Sequence, residues 1–252
     1  MTYQHIILSP HFDDAALSLG GMIASMTARD ETVLVITLCS APPHEPLNAF
    51  AQYLHEQWGD INDPIALRQA EDQTAVARLG ADLLFLGDWD AIYRHPAYNS
   101  VQAIFAQPVP DDPMIERLTH HLTALDRAYS AAQWYAPLAI GNHVDHQLTH
   151  DVARAVLPRD RVLWYEDLPY ATNHAVRDQR LTQFPNAEPI LFDISDTLEL
   201  KLAAVADYAS QIGELFGDLA TMRQRLTNYA ASLSQDGRYL ERLWRSGLRI
   251  EE

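Results

Sequence analysis

Short apolar runs alternate with longer segments of helical spacing along the first two thirds of the chain. The run at residues 33–39 is β-branched and almost wholly apolar, which is typical of a strand buried in a parallel sheet. A segment that starts at Pro64 and ends near Gly80 carries the start and stop signals of a helix. The same pattern predicts strands at residues 5–9, 83–86, 133–136 and 161–165, and helices at 15–28, 115–125 and 146–156.

This alternation predicts an α/β fold, with a Rossmann-like, mostly parallel sheet and helices on both of its faces. After about residue 196 the pattern changes to helix only, with an apolar stripe that includes Leu198, Leu202 and Val205. We expect this C-terminal helical segment, residues 196–252, to pack on the sheet. An interface between copies in a homo-oligomer is the alternative use of the stripe. No linker divides the 252 residues, so we predict a single domain.

Acidic residues outnumber basic ones by 34 to 18, which gives a formal net charge of −16. A field of this sign repels phosphate backbones and anionic lipid headgroups, so nucleic acid and membrane surfaces are disfavoured as partners. No apolar run approaches the roughly 20 residues that span a bilayer. The first residues lack the basic start and apolar stretch of a signal peptide. We therefore expect a cytoplasmic protein.

A first cluster of polar side chains follows the first predicted strand. His11, Asp13 and Asp14 lie between that strand and the helix after it. A helix N-terminus favours negative charge, so capping of the helix is a sufficient explanation for the two aspartates alone.

A second cluster follows the strand at residues 133–136. Three histidines and an aspartate occur between residues 143 and 150. In helical geometry His143 and His146 share a face, as do His146 and His150; we interpret His150 as an exposed helix residue. In a parallel sheet both clusters lie at the carboxyl ends of strands, where ligands bind, so we expect them to converge.

Converging imidazoles and carboxylates suggest metal-assisted hydrolysis. Two histidines and one carboxylate leave positions open on a zinc ion, which is what a catalytic site needs. Zinc lowers the pKa of a bound water to about 7. A spare carboxylate can accept the proton of that water, and a spare histidine can stabilise an oxyanion. The spacing does not decide which histidines would be the ligands.

These motifs resemble those of the PIG-L/LmbE-like deacetylases, whose members remove acetyl groups from N-acetylglucosamine conjugates. The resemblance rests on Pro10-His11-Phe12-Asp13-Asp14, Leu17, Gly20-Gly21 and His143-Val144-Asp145-His146. Less specific similarities occur around residues 68–71, 93–94, 165–170 and 241–245, so the resemblance covers most of the chain.

The resemblance implies roles for particular positions. It implies three zinc ligands: His11, Asp14 and His146. It also implies three catalytic residues: Asp13 as the general base, His143 as the group that polarises the substrate carbonyl or acts as the acid, and Asp145 as the residue that orients a histidine. Another divalent ion, such as Fe²⁺, is an alternative to zinc at this site.

The resemblance also concerns the substrate. Arg68 matches a position that contacts the sugar in relatives, and Asp90 and Arg94 are further candidates for the same task. Surface ion pairs are the alternative explanation for these three. Phe12 replaces the usual proline of the motif, and Ala15 replaces the usual glutamate. Neither replaced residue is a metal ligand, but the changes affect what can be inferred about the substrate.

The resemblance thus implies a zinc-dependent hydrolase that deacetylates a small N-acetylated amino-sugar conjugate. Two other hypotheses fit parts of the sequence. The triplet His11-Phe12-Asp13 with a distant histidine also matches the metal site of non-haem iron oxygenases, although those enzymes have a double-stranded β-helix. A non-catalytic module that binds a sugar or a metal is the second alternative.

Overall fold

The computed structural model describes residues 2–44, 46–58 and 63–246. In these ranges one sheet has seven strands, namely β1 (His5–Ser9), β2 (Val33–Cys39), β3 (Asp82–Asp88), β4 (Gln133–Pro137), β5 (Val162–Tyr165), β6 (Glu188–Asp193) and β7 (Leu240–Arg245). The α-helices of the same ranges are α1 (Asp14–Thr27), α2 (Ala49–Gln57), α3 (Pro64–Arg78), α4 (Ala91–Arg94), α5 (Val101–Ile104), α6 (Pro113–Ala128), α7 (Val144–Val156), α8 (His174–Leu181), α9 (Leu198–Ala206), α10 (Ala209–Phe216) and α11 (Leu219–Ser232).

The strands are ordered β3-β2-β1-β4-β5-β7-β6. The first five pair in parallel, and β7 is antiparallel to both of its neighbours. From β1 the chain moves outward to β2 and β3, and then returns to β4 on the other side of β1. Because parallel crossovers are right-handed, α1 and α3 lie on one face and α6 and α7 on the other. The predicted Rossmann-like, mostly parallel sheet with helices on both faces is confirmed.

Local sequence signals explain where the elements begin and end. Every residue of β2 is buried, as expected for a central strand covered on both faces. Helices α3 and α6 each begin with a proline after a capping aspartate. Asp63 accepts a hydrogen bond from the N–H of Ala66, and Asp112 from that of Met114, both at 2.9 Å. Gly80 adopts a φ of 76° just beyond α3, a conformation that costs glycine least.

The prediction of helix alone after about residue 196 is wrong for residues 240–245, which form β7. Strand β6, before that point, was not predicted either. Glu241 interrupts the apolar pattern of β7, and this pattern is the sequence signal for a buried strand. Its carboxylate is buried but satisfied, since it accepts a hydrogen bond of 2.7 Å from Lys201 and two more from backbone N–H groups of α1. Residues 247–252 of the predicted helical segment lie outside the described residues.

Helix α9 of the C-terminal segment packs on the layer of helices that covers one face of the sheet. Leu198, Leu202 and Val205 of α9 are buried, and α9 lies against α1 and α3. A Cβ added at Gly20 would come within 3.0 Å of Lys201 Cγ, so this glycine allows α1 and α9 to approach closely. The apolar stripe is therefore covered within the chain.

His150 is 1% exposed, which contradicts its interpretation as an exposed helix residue. Its Nδ1 lies 2.9 Å from the carbonyl oxygen of Pro137, and its ring centre lies 4.2 Å from that of Trp164. Within the described ranges Nε2 is buried without a hydrogen-bond partner. Burial, with a smaller effect of Arg180, lowers the pKa of His150 to about 3. The folded protein therefore keeps this imidazole neutral at pH values where the unfolded chain binds a proton.

Replacing His150 by Phe is expected to make the protein less sensitive to acid. Because the folded pKa is depressed, stability is complete above about pH 6.5 and falls towards pH 3, by up to about 1.4 kcal/mol per pH unit. Between pH 7.5 and 5.5 the free energy of unfolding of the unmodified protein should fall by about 1.4 kcal/mol more than that of His150→Phe. Urea unfolding at both pH values measures this. His174→Gln, at an exposed histidine, should behave like the unmodified protein; equal losses in all three proteins would contradict the prediction.

Candidate metal centre

Two loops that leave the sheet at adjacent strands carry the candidate residues. Strands β1 and β4 are parallel neighbours, and the chain leaves them in opposite directions, towards β2 and towards β5. Such a switch point opens a crevice at the carboxyl ends of the strands. The β1–α1 connection and the first residue of α1 place His11, Asp13 and Asp14 in this crevice, and the N-cap and first turn of α7 place His143 and His146 there.

The β4–α7 loop has an unusual backbone. Ala139 adopts a φ of 63°, a left-handed conformation that costs a residue with a Cβ about 1 kcal/mol or more. Gly141 has a φ of 91°, and a Cβ there would lie 2.6 Å from the ring of Tyr170. His143 then forms the N-cap of α7, where its Nδ1 accepts a hydrogen bond of 3.3 Å from a backbone N–H of the first turn. The loop thus fixes the direction in which α7 starts.

Three side-chain atoms form a nearly equilateral triangle in the crevice. His11 Nδ1 lies 3.5 Å from Asp14 Oδ2 and 3.3 Å from His146 Nε2, and the last two atoms lie 3.3 Å apart. Ligands at about 2.0–2.2 Å from a tetrahedral zinc lie about 3.3–3.5 Å from one another. The predicted ligand residues therefore come together at the spacing that a divalent ion needs.

Two other sets of potential metal donors also include the imidazole of His11. His143 offers a nitrogen within 4.8 Å of nitrogens of His11 and His146, and Cys39 and Asp145 form a second set with His11. The carboxylate of Asp145 is already paired with an arginine, and burial raises the pKa of the Cys39 thiol well above its ordinary value. The triangle described above is the set whose three separations, 3.3 to 3.5 Å, match the spacing of zinc ligands.

Buried carboxylates hold the two imidazoles of the triangle. His146 Nδ1 lies 2.6 Å from Asp167 Oδ1, and Asp167 Oδ2 accepts a hydrogen bond of 2.9 Å from the N–H of Ile140. His11 Nε2 lies 3.1 Å from Asp145 Oδ2. When these two ring nitrogens donate, the other nitrogen of each ring keeps the lone pair that a metal would use. Asp145, which was expected to orient a histidine, is placed to orient His11.

Three residues of the site were not identified from the sequence. Asp167 follows β5, the next parallel strand after β4, so the argument from strand ends that located the two clusters also applies to it. Trp58 and Glu214 line the pocket and are joined by a hydrogen bond of 2.8 Å from the indole N–H. These two come from the ends of helices without a polar motif, so the local sequence gives no signal for them.

Carboxylates dominate the electrostatics of the crevice. Although burial opposes it, Asp14 and Asp167 raise the pKa of His146 to about 9. Burial and the nearby His11 hold the pKa of His143 well below its ordinary value, so that ring is neutral at pH 7. The triangle therefore attracts positive charge, whether protons or a metal ion, and His143 beside it stays uncharged.

The triangle opens into a pocket of about 190 Å³. Asp13 and His143 lie in its wall, each 7% exposed. Asp13 occupies the N-cap position of α1, but its side chain makes no capping hydrogen bond, so helix capping does not explain this residue. Burial and the adjacent Asp14 raise the pKa of Asp13, which makes the carboxylate a stronger proton acceptor.

Arg68 and Asp90, two of the three predicted sugar contacts, line the pocket. The guanidinium of Arg68 lies 5.1 Å from the ring centre of Phe12 and 5.0 Å from that of Trp58, and the residue is 6% exposed. Neither Arg68 nor Asp90 therefore forms the surface ion pair that was the alternative explanation for these residues. The third, Arg94, is not in the pocket lining: its side chain is 2% exposed and pairs with buried carboxylates. The geometry therefore does not bring Arg94 to the place where a sugar contact was expected.

The family model described as GlcNAc-PI de-N-acetylase, PIG-L, matches residues 6–157. This region is more than half of the 252 residues. It contains both polar clusters, with all three atoms of the triangle.

Proteins of known activity and known structure are similar over most of the chain. The 2'-N-acetylparomamine deacetylase of Niallia circulans is 28% identical over an alignment of 237 positions, and the match covers 85% of this chain and 83% of that protein. The enzyme of the same name from Streptomyces fradiae is 30% identical over an alignment of 216 positions, and the match covers 82% of this chain and 72% of that protein. A solved structure of the zinc-inhibited form of a teicoplanin deacetylase has a TM-score of 0.80 at 25% identity and covers 95% of this chain and 96% of that one.

Proposed function

Because the chain belongs to the PIG-L family of GlcNAc-PI de-N-acetylases, we propose that it is a hydrolase that removes an acetyl group from the amide nitrogen of an N-acetylated amino-sugar conjugate. One observation carries the proposal: His11, Asp14 and His146 form a metal-sized triangle beside Asp13 and His143 in one pocket. Relatives named for the deacetylation of 2'-N-acetylparomamine support the amino-sugar part of the substrate.

His11, Asp14 and His146 would hold the metal. Two imidazoles and one carboxylate suit zinc, which is the metal that we propose, and they also suit Fe²⁺. Three protein ligands leave a position open, as in catalytic rather than structural zinc sites. A bound divalent cation supplies Lewis acidity to the amide carbonyl and to the attacking water.

Asp13 is the proposed general base, since its carboxylate lies in the pocket wall next to the ligand Asp14 and can take a proton from the attacking water. The same carboxyl group can then pass this proton to the leaving amine. His143 is neutral, and its Nδ1 accepts a backbone hydrogen bond, so its proton is on Nε2. From there it can donate to the oxygen on which negative charge develops, or act as the acid.

The substrate side of the pocket combines polar and apolar groups. Arg68 can donate to sugar oxygens and Asp90 can accept from hydroxyl groups. Ile92 and Val101 add apolar side chains to the pocket wall. A small amino-sugar conjugate fits this combination of polar and apolar lining.

No helix in the described part of the chain has the length and apolarity to cross a membrane.

The two alternative hypotheses make different predictions. Non-haem iron oxygenases of the facial-triad type use a double-stranded β-helix, whereas this chain has a mostly parallel sheet. A binding module would need no base, and the wall position of Asp13 is then without a purpose. We therefore retain the hydrolase.

The proposal is tested with 2'-N-acetylparomamine and simple N-acetylglucosamine glycosides as substrates. Acetate and primary amine should appear in equal amounts. Turnover should stop when the metal is removed by a chelator and should resume when one equivalent of zinc is added. Excess zinc is avoided because a zinc-inhibited form is known for a related teicoplanin deacetylase. Turnover that requires Fe²⁺ and oxygen would establish the oxygenase instead. Zinc-loaded protein that binds these sugars without releasing acetate would establish the binding module.

Replacing Arg68 by Met is expected to lower kcat/KM by about 10- to 100-fold, mainly through KM. The guanidinium lies between two aromatic rings, and within the described ranges its buried Nε has no hydrogen-bond partner. A charge-assisted hydrogen bond to the substrate contributes about 1.5–3 kcal/mol. Phe12→Leu keeps the arginine but removes one ring, so a smaller rise in KM, about 2- to 5-fold, is expected. Steady-state kinetics on one amino-sugar substrate measures both effects.

Arg117 provides the control for the Arg68 and Phe12 variants. Its guanidinium also lies over an aromatic ring, at 5.2 Å from the ring centre of Trp89, but it is not in the pocket lining. Arg117→Met should leave KM unchanged. An unchanged KM in Arg68→Met would remove this residue from the substrate site.

A further inference from the structure

Arg94 is a buried arginine behind the metal centre, 2% exposed at its side chain. We propose that Arg94 is a positioning residue that holds Asp145 against His11 and so aims the His11 ring at the metal. The inference rests on the proposed metal site. It replaces the sugar contact that was expected of this arginine.

The chain of contacts runs from the arginine to the ligand through one carboxylate. Arg94 Nη2 donates to Asp145 Oδ1 at 2.6 Å. The other oxygen, Oδ2, lies 3.1 Å from His11 Nε2 and accepts a hydrogen bond of 3.1 Å from the N–H of Ala91. Asp145 is fully buried, so its charge needs a partner inside the protein. Without Arg94 the carboxylate would lose the cation that fixes its orientation.

A second carboxylate holds the guanidinium in place. Arg94 Nε and Nη2 donate to the two oxygens of Asp112 at 2.7 and 2.9 Å, a two-pronged contact that fixes the plane of the group. Nη1 donates to the carbonyl oxygen of Trp89 at 2.5 Å. Asp112 also accepts a hydrogen bond of 2.8 Å from Tyr98. A lysine has a single ammonium group and cannot make all these contacts at once.

These contacts join the substrate side of the pocket to a metal ligand. Ala91 and Arg94 both belong to α4, and Ile92 of the same short helix lines the pocket. One side of α4 therefore faces the pocket, and the other reaches His11 through Asp145.

The test compares the zinc affinities of Arg94→Met, Arg94→Lys and a control, measured by competition with a chelating indicator in the absence of substrate. Arg94→Met is expected to bind zinc about 10- to 100-fold more weakly, the usual effect of losing an outer partner of a ligand. Arg94→Lys should lose less, because it restores the charge but not the two-pronged contact. Lys201→Met also removes a buried ion pair, Lys201–Glu241 at 2.7 Å, away from the pocket lining, and should leave zinc affinity unchanged.

Turnover at saturating zinc separates positioning from substrate contact. The KM of Arg94→Met should then equal that of the unmodified protein, and a raised KM would overturn the proposal. Unchanged zinc affinity in Arg94→Met would overturn it as well. If Arg94→Met does not fold, Asp112→Asn decides, with zinc binding expected to weaken by about 3-fold or more and unchanged binding counting against the proposal. An unmodified protein that binds no zinc would refute the proposed metal site, and this inference with it.

Discussion

Replacing Asp13 by Asn is expected to lower kcat by about 10²- to 10⁴-fold while the protein keeps its bound zinc. The expected factor is that of a general base, since the amide cannot accept the proton of the attacking water. The metal should remain because the donors nearest one another belong to His11, Asp14 and His146. Initial rates of acetate release and metal content, measured on the same sample, give both quantities.

Asp151→Asn is the matched control for this variant, because it makes the same chemical change at an exposed carboxylate. It should retain the full kcat and the full zinc content. Undiminished deacetylation by Asp13→Asn would show that another group is the base. Loss of zinc from Asp13→Asn would instead make Asp13 part of the ligand set.

Much of the fold follows from local pattern because a central parallel strand is buried along its whole length. Residues 33–39 were predicted as a strand and form β2 with the same limits. Strand β7 was missed for the opposite reason. Its partner β5 is distant in sequence and its partner β6 is weakly patterned, and its buried Glu241 is stabilised by Lys201 of helix α9. A strand that depends on such a contact cannot be identified from its own residues.

Part of the candidate site could also be predicted from the sequence and part could not. The rule that ligands bind at strand ends predicted that His11 and Asp14 lie near the second cluster. Helical spacing could not choose among His143, His146 and His150, and the resemblance to the family was needed. The fold distinguishes them physically: the rings of His143 and His146 face the pocket, whereas that of His150 packs on Trp164.

The surroundings of Arg68 and Arg94 in the fold could not be predicted from the sequence. From the sequence, Arg68 was the first candidate for a sugar contact, through its match to a position of the family, and Arg94 was a weaker one. In the fold Arg68 lies between aromatic rings at the pocket, whereas Arg94 is paired with Asp112 and Asp145. The partner of a buried charge is a tertiary property, so only the folded chain distinguishes a group that is free to meet a substrate from one that is already occupied.

Replacing His146 by Asn is expected to weaken zinc binding by about 10²-fold or more and to abolish deacetylation at one equivalent of zinc. The apparent binding energy of roughly 10–16 kcal/mol for a four-ligand structural zinc corresponds to about 3 kcal/mol for each ligand. Asp167→Asn should have a smaller effect, about 10- to 100-fold, since Asp167 contacts only the outer nitrogen of the same ring. Competition with a chelating indicator measures each affinity.

The double variant His146→Asn/Asp167→Asn decides whether Asp167 acts through His146. If it does, the second substitution has nothing left to orient, and the double variant should bind zinc no more weakly than His146→Asn alone. Losses that multiply would mean that Asp167 serves the centre by another route. A zinc affinity of His146→Asn equal to that of the unmodified protein would remove His146 from the ligand set. His143 would then be the histidine to test next, because its ring nitrogen lies within 4.8 Å of the ring nitrogens of His11 and His146.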